Sequence, residues 1–480
     1  MNNKSYITAA IPYVNAKPHI GHALEFVQTN VIVRYHRLLE KEVLSTCGGD
    51  ENAVKNVQAA EAAGKPIQEF VDKNNQLFFA LTVKLNAKFD VWQKGSDQKH
   101  HFPSSQKLWE LCNEDIYKKK YAGLYCVGCE VFYSPEELDK NGECFEHPGK
   151  KLDKVEEENY FFKLSKYQEK LIEIIEKDEL EIVPKSRKNE VLSFLKSGLH
   201  DLSISRTNKR ARNWGVPVPG DDSQRIYVWF DALNIYQTGV GFGWDEKKYK
   251  KWWPADVHVV GKGIIRFHAI YWPAFLLSAG LKLPRKIFVH EYIMVDGKKM
   301  SKTVGNVYDP LPLLKKHGAD PLRYYLLSKL SPFSDGDFSE KKFYSAYNSD
   351  LANGLGNLVS RVAKLCETSG FEFETKIPEQ LRAEVKKELD KFRFDRALEK
   401  IWKKISEIDR QIEKNRPWEL SGDKLKEVLS QLVDELRQIG FDLQPFLPEA
   451  AEKIFEQFKG PKIKAATPLF PRLSTKRENL

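Results

Sequence analysis

Residues 6–47 constrain this chain more than any other stretch, because they read as strand, loop, helix and strand in close succession. Tyr6 to Ile11 is a short apolar run, Pro12 and Pro18 bracket a polar turn, and from Gly21 onward apolar residues recur at Leu24, Val27, Val31, Tyr35 and Leu38. That spacing predicts an amphipathic helix, followed by a second short strand from Glu42 to Cys47. A βαβ unit of this kind presents free backbone N–H groups and the positive end of the helix dipole to whatever docks above the sheet, and a phosphate suits both. At the turn stand His19-Ile20-Gly21-His22, two imidazoles that can each donate a hydrogen bond to a phosphate oxygen without a formal charge.

A second string, Lys298-Lys299-Met300-Ser301-Lys302-Thr303, follows an expected hairpin in which Tyr292 to Val295 is extended and Asp296-Gly297 is the tight turn. Paired with the histidine turn, it resembles the mobile lysine loop of class I aminoacyl-tRNA synthetases. Tyr227 to Leu233 reads as an apolar strand leading into a helix, and Arg266 to Phe275 as an aromatic-rich helix. Together with Ala9-Ala10-Ile11-Pro12-Tyr13-Val14-Asn15, these segments resemble methionyl-tRNA synthetases of the bacterial type, from about residue 5 to about residue 450.

The resemblance implies an α/β fold: a Rossmann-type parallel-sheet catalytic domain carrying a zinc-knuckle insertion, then an α-helical bundle that binds the anticodon. It implies activation of L-methionine with ATP to methionyl-adenylate, and transfer to the 3′ end of tRNA(Met) with release of AMP and pyrophosphate. By position, Ile11, Tyr13, Trp229, Ala232, Leu233, Tyr236, Ile264 and His268 would line the methionine pocket, with Asp50 pairing the substrate ammonium. Aromatic faces and branched aliphatics suit a flexible thioether, with Tyr13 and His268 as polar handles near sulfur. ATP would meet His19, Gly21, His22, Lys299, Met300, Ser301 and Lys302, of which His19, His22, Lys299 and Lys302 are the expected catalytic groups, sharing the phosphate charge with Mg²⁺. Asn353, Asn357 and Arg361, four residues apart on one helix face, and Trp418 of Pro417-Trp418 would read the anticodon.

Several positions depart from the family pattern. Gly48-Gly49-Asp50-Glu51-Asn52-Ala53 stands where Gly-Thr-Asp-Glu-His-Gly is common, so the aspartate remains while a histidine and a glycine do not. Gly263 replaces an aspartate, Thr303 the final serine of the lysine loop, and Asp409 an asparagine of the helical region.

The six cysteines divide sharply. Cys126 and Cys129, then Cys144 and His147, have the spacing of one tetrahedral zinc knuckle per chain, and a closed Cys₃His set makes that metal structural. A disulfide or chance clustering is the competing reading. No signal peptide is apparent, and Cys47, Cys112 and Cys366 are scattered without pairing logic.

A length of 480 residues predicts several domains: 1–114 and 224–291 as the two halves of the nucleotide fold, 115–223 as the knuckle-bearing insertion, 292–342 as the lysine-loop connection, and 343–480 as the helical domain. No apolar run is long enough to span a membrane, and the start of the chain leaves no room for a leader, so a cytoplasmic enzyme is expected. A formal charge of +9 favours a polyanionic partner. Without a dimerising extension after Pro471, a monomer is expected. Two other classes compete: a small-metabolite adenylyltransferase, which needs neither the knuckle nor the helical bundle, and a non-catalytic tRNA-binding relative, suggested only by Asn52 and Gly263.

Overall fold

Runs such as Tyr6-Ile7-Thr8-Ala9 and Val257-His258-Val259-Val260 are too short for helices and too continuously apolar for a sheet with one wet face, and they pair as buried parallel strands. The computed structural model describes residues 3–126, 131–133, 138–144, 149, 151–300 and 305–473. The chain divides into two units: Met1–Pro18, Lys41–Thr82 and Lys88–His290 form one, and His19–Glu40, Val83–Ala87 and Glu291–Leu480 form the other.

The first unit is built on a six-stranded parallel sheet of β1 (Lys4–Ala9), β2 (Glu42–Gly49), β3 (Val91–Lys94), β4 (Glu181–Val183), β5 (Val257–Gly261) and β6 (Lys286–His290). Its order is β3-β2-β1-β5-β6-β4, so the strand sequence reverses beside β1, and the crevice at the carboxyl ends of β1, β2 and β5 is where such sheets take ligands. Ile116–Cys126, Val131–Tyr133, Asp153–Phe162 and Leu202–Ser203 make a separate four-stranded antiparallel sheet.

One expectation is corrected here. Tyr227 to Leu233 is not a strand leading into a helix: Asp221–Ile226 belongs to a small antiparallel sheet with Ser205–Thr207 and Pro217–Val218, and the apolar run after it is helical from Val228. Every residue of that helix is buried. A helix buried all round has no face in water, and its apolar start Val228-Trp229-Phe230 looks like a core strand.

The second unit contains α1 (Ile20–Leu38), a small sheet around Ile293–Val295, and a series of helices that includes Phe394–Asn415 and Gly422–Leu443. Arg323, fully buried within it, donates to the carbonyls of Phe446, Pro445, Leu85 and Asn86, which ties distant segments together. Among the described residues no helix is long and apolar enough to cross a membrane.

Candidate functional site

In the second unit His19 is the N-cap of α1. Its Nδ1 accepts from Gly21 N–H at 3.1 Å, while His22 Nδ1 accepts from His19 N–H at 3.1 Å, a capping box made of two imidazoles. The rings lie 3.8 Å apart between centroids. A backbone N–H can only donate, so both Nδ1 atoms are acceptors and each neutral ring carries its proton on Nε2. Burial, reinforced by neighbouring His19, holds the His22 pKa well below the ordinary imidazole value, so this ring stays neutral. The expected free N–H groups at the start of α1 are not there: Ile20 N–H donates to Tyr308, Gly21 N–H to His19, and His22 and Ala23 N–H to the His19 carbonyl.

The expected hairpin is present. Met294 pairs with Lys299 and Val295 with Lys298, and both turn residues have positive φ, 50° at Asp296 and 73° at Gly297, the signature of a type I′ turn. Asp337 accepts from Gly297 N–H at 2.7 Å, and Asn306 donates to the Lys298 and Lys299 carbonyls, which fixes the base. Lys299 is exposed, its Nζ 5.7 Å from the Tyr292 ring. A Cβ at Gly21 would lie 2.9 Å from His19 Cε1 and 3.3 Å from Met300 Cε, so only glycine lets the imidazole and the Met300 side chain approach this closely. The structure thus brings His19, Gly21, His22 and Met300 together. Ser301, Lys302 and Thr303 lie outside the described residues.

In the first unit, label the buried helix Val228–Thr238 α2. Trp229 meets Tyr13 edge-on at 6.1 Å and stacks on Phe267 at 3.7 Å, with His268 at 6.3 Å. His268 Nδ1 lies 2.9 Å from the Ile264 carbonyl, which can only accept, so Nε2 accepts from Tyr236 Oη at 2.7 Å. Burial pushes the His268 pKa down to about 4. Both His268 nitrogens are therefore used within the protein, and the polar handle expected there is the Tyr236–His268 pair. Asp50, at the end of β2, is bridged through its backbone to Tyr13 and accepts from Asn56 at its carbonyl. Ala232 and Leu233 are buried on α2, while Ile11 and Ile264 pack half-buried against the same core. Gly263 sits in the short 3-10 turn 262–264 that follows β5.

Over residues 5–363 the chain matches the family model described as "tRNA synthetases class I (M)". It is 40% identical over 478 residues to the methionine–tRNA ligase of Brucella melitensis, covering 95% of this chain and 92% of that protein. The corresponding ligase of Rhizobium meliloti is 41% identical, with 94% and 91% covered. The chain belongs to the methionine–tRNA ligases of class I. A Mycobacterium tuberculosis methionyl-tRNA synthetase bound by methionyl-adenylate has a TM-score of 0.90 and 34% identity, covering 98% of this chain and 100% of that one. Membership in the methionine–tRNA ligases brings with it the reaction class, ATP-dependent ligation of methionine to tRNA.

The remaining predicted residues are placed unevenly. Cys126, at the end of a strand, and Cys144 are both buried, with Cys144 Sγ 3.5 Å from Tyr133 Oη; Cys129 and His147 lie outside the described residues. Among the described residues no three candidate ligands are grouped as a metal site. In the helical region Arg361 pairs with Glu413 at 2.7 Å, and its guanidinium lies 5.3 Å from the ring of Trp418, which is half exposed. Asn357 is exposed at the start of its helix. Asn353 precedes it in a π-helical segment, and its Oδ1 accepts from Arg472 at 2.6 and 3.1 Å. Burial raises the pKa of Asp409, opposed by Arg361.

Sequence reasoning missed Phe267, which stacks on Trp229, and Lys55, whose Nζ lies 3.0 Å above the Tyr13 ring. The π-helical turn Phe267–Tyr271 has no sequence pattern of its own, although such turns recur at functional sites. Lys55 lies on an otherwise ordinary helix, Val54–Ala62.

Proposed function

We propose that Tyr13, Trp229, Ala232, Leu233, Tyr236, Ile264, His268 and Ile11 hold the methionine side chain, and that Asp50 holds its ammonium group. His19 and His22 would donate through Nε2 to the α-phosphate region and the ribose side, with Lys299 and Lys302 on the triphosphate and the departing pyrophosphate. The observation that carries this reading is the imidazole capping box: it fixes both neutral rings with the proton on Nε2, at the turn where Met300 of the lysine loop approaches Gly21. In the reaction the methionine carboxylate attacks the α-phosphorus, and the protein aligns the two and offsets the charge that grows on phosphate. Lys299 and Lys302 would share the triphosphate charge with the Mg²⁺ that accompanies ATP. The aminoacyl group then passes to the terminal ribose of tRNA(Met), with no covalent enzyme intermediate.

Arg361 and Trp418, with Asn353 and Asn357 beside them, form the face proposed to read the anticodon by hydrogen bonding and stacking. The five-segment domain division given above, a monomeric state and a cytoplasmic location complete the reading. Cys126, Cys129, Cys144 and His147 would hold one structural zinc ion; buried thiols at two of the four positions fit such a donor set. Metal analysis of the purified chain should find about one zinc ion per molecule, and none would remove the knuckle.

The deciding experiment is amino-acid-dependent exchange of pyrophosphate into ATP. A signal with methionine alone is expected; a signal with another amino acid would overturn the pocket assignment, and silence with all twenty would overturn catalysis.

A further inference from the structure

The helix α2 carries two stripes. Trp229, Ala232, Leu233 and Tyr236 recur at helical spacing on the proposed pocket side, while Asp231, Asn234 and Thr238 recur at i, i+3 and i+7 and are all buried. Buried polar groups need partners, and the partners of this second stripe come from elsewhere in the first unit. Asn52 Nδ2 donates to Asp231 Oδ2 at 2.6 Å and to the Gly95 carbonyl at 2.8 Å, linking the ends of β2 and β3 to the first turn of α2. His101 Nε2 lies 3.4 Å from the same Asp231 oxygen, and its Nδ1 lies 2.9 Å from Thr238 Oγ1. Since the carboxylate accepts from Nε2–H, Nδ1 accepts from the Thr238 hydroxyl. One imidazole therefore holds both ends of α2. Asn234 Nδ2 and Thr238 Oγ1 each lie 2.9 Å from Ser104 Oγ, one turn along the His101–Leu111 helix.

We propose that Asn52, His101 and Asp231 are positioning residues for amino-acid selection, because their hydrogen bonds fix the rotation and depth of α2 and hence the placement of Trp229 and Tyr236. The inference rests on the reading of those aromatic residues as the methionine pocket. Apolar contacts alone would let a buried helix slide or rotate at small cost, whereas a directional network with buried members allows one setting. Asn52 makes this possible despite replacing the family's more common histidine: its amide has two donors, and both are used. Neither Asn52 Oδ1 nor Asp231 Oδ1 meets a donor among the described residues, so the network is taut on its donor side and leaves buried acceptors unmatched.

The test is steady-state pyrophosphate exchange with methionine and with norleucine, an isostere lacking sulfur. Asp231→Ala and His101→Ala should each raise the KM for methionine about tenfold and narrow the methionine-to-norleucine preference. The KM for ATP and kcat should stay within about twofold, and Asp231→Asn, which keeps shape and one acceptor, should recover most of the loss. If Asp231→Ala does not fold, His101→Gln and Ser104→Ala are read in the same way. Lowered thermal stability with unchanged methionine KM and preference would overturn the inference and leave the stripe a purely structural anchor. Trp229→Ala separates the two levels: if it raises methionine KM while the stripe variants do not, only this inference falls; if it does not, the pocket reading falls as well.

Discussion

At Gly21 the geometry leaves no room for a side chain, since an added Cβ would press on the His19 ring and on Met300. Gly21→Ala should tilt the ring that caps α1 and move its Nε2 away from the place proposed for the phosphate. A misplaced oxyanion donor costs roughly 2 to 4 kcal/mol of transition-state stabilisation, so kcat for exchange should fall about a hundredfold or more while methionine KM changes little. A loss confined to methionine KM would contradict the role given to this turn. His268 poses a different residue-scale question. Its pKa of about 4 in the folded chain lies below the unfolded value of 6.5, so the unfolded state binds the proton more readily. Its contribution to stability is complete above pH 6.5 and is lost as the pH falls toward 4, by about 3 kcal/mol in total. Thermal melts from pH 7 to pH 4 should show this decline, and His268→Gln should flatten part of it; an unchanged slope would mean that the ring is already solvated. His258, His22 and His317, whose pKa values burial also lowers, add to the acid sensitivity.

At the scale of elements, what could be read from sequence depended on whether an element announces itself locally. The Asp296-Gly297 hairpin did, because only residues tolerant of positive φ fit a type I′ turn, and α1 did through its apolar period. Gly297→Val should therefore strain the turn by about 1 to 2 kcal/mol, slowing exchange without altering methionine KM; an unaffected kcat would show that the lysine hairpin need not be preformed. The start of α1 was placed correctly while its chemistry was misread, since histidine is not among the usual N-caps and nothing in the string predicts that it would occupy the helix's own N–H groups. The start of α2 reads as strand because Tyr227-Val228-Trp229-Phe230 is a continuous apolar run, and the polar residues that follow are buried as well. Its polar stripe was visible only once Ser104 and His101, more than a hundred residues away in sequence, were seen against it. Most residues proposed for the pocket lie in short aromatic strings that stand out in the sequence. Phe267 and Lys55 were not, since one depends on a π-turn and the other on a helix with no signature of its own.

Across the whole molecule, the residues proposed for the amino-acid pocket belong to the first unit and Arg361 and Trp418 to the second. Adenylate formation requires no RNA, so the two half-reactions should respond to different substitutions. Arg361 is held by Glu413, which is 65% exposed, and a bond to so exposed a carboxylate contributes little, leaving the guanidinium available for exchange onto an RNA group at small cost. Trp418 lies within cation–π distance of that guanidinium with half its surface open to a base. Loss of one stacking platform costs roughly 1 to 3 kcal/mol. Trp418→Ala should therefore raise the KM for tRNA about tenfold or more while methionine-dependent pyrophosphate exchange stays within about twofold. With a formal charge of +9 the chain also gains sequence-independent attraction to RNA, so the defect should be measured at matched salt, where that background is common to both proteins. If exchange and charging fell together, Trp418 would be supporting the fold, and the RNA-reading face would have to lie elsewhere on the second unit.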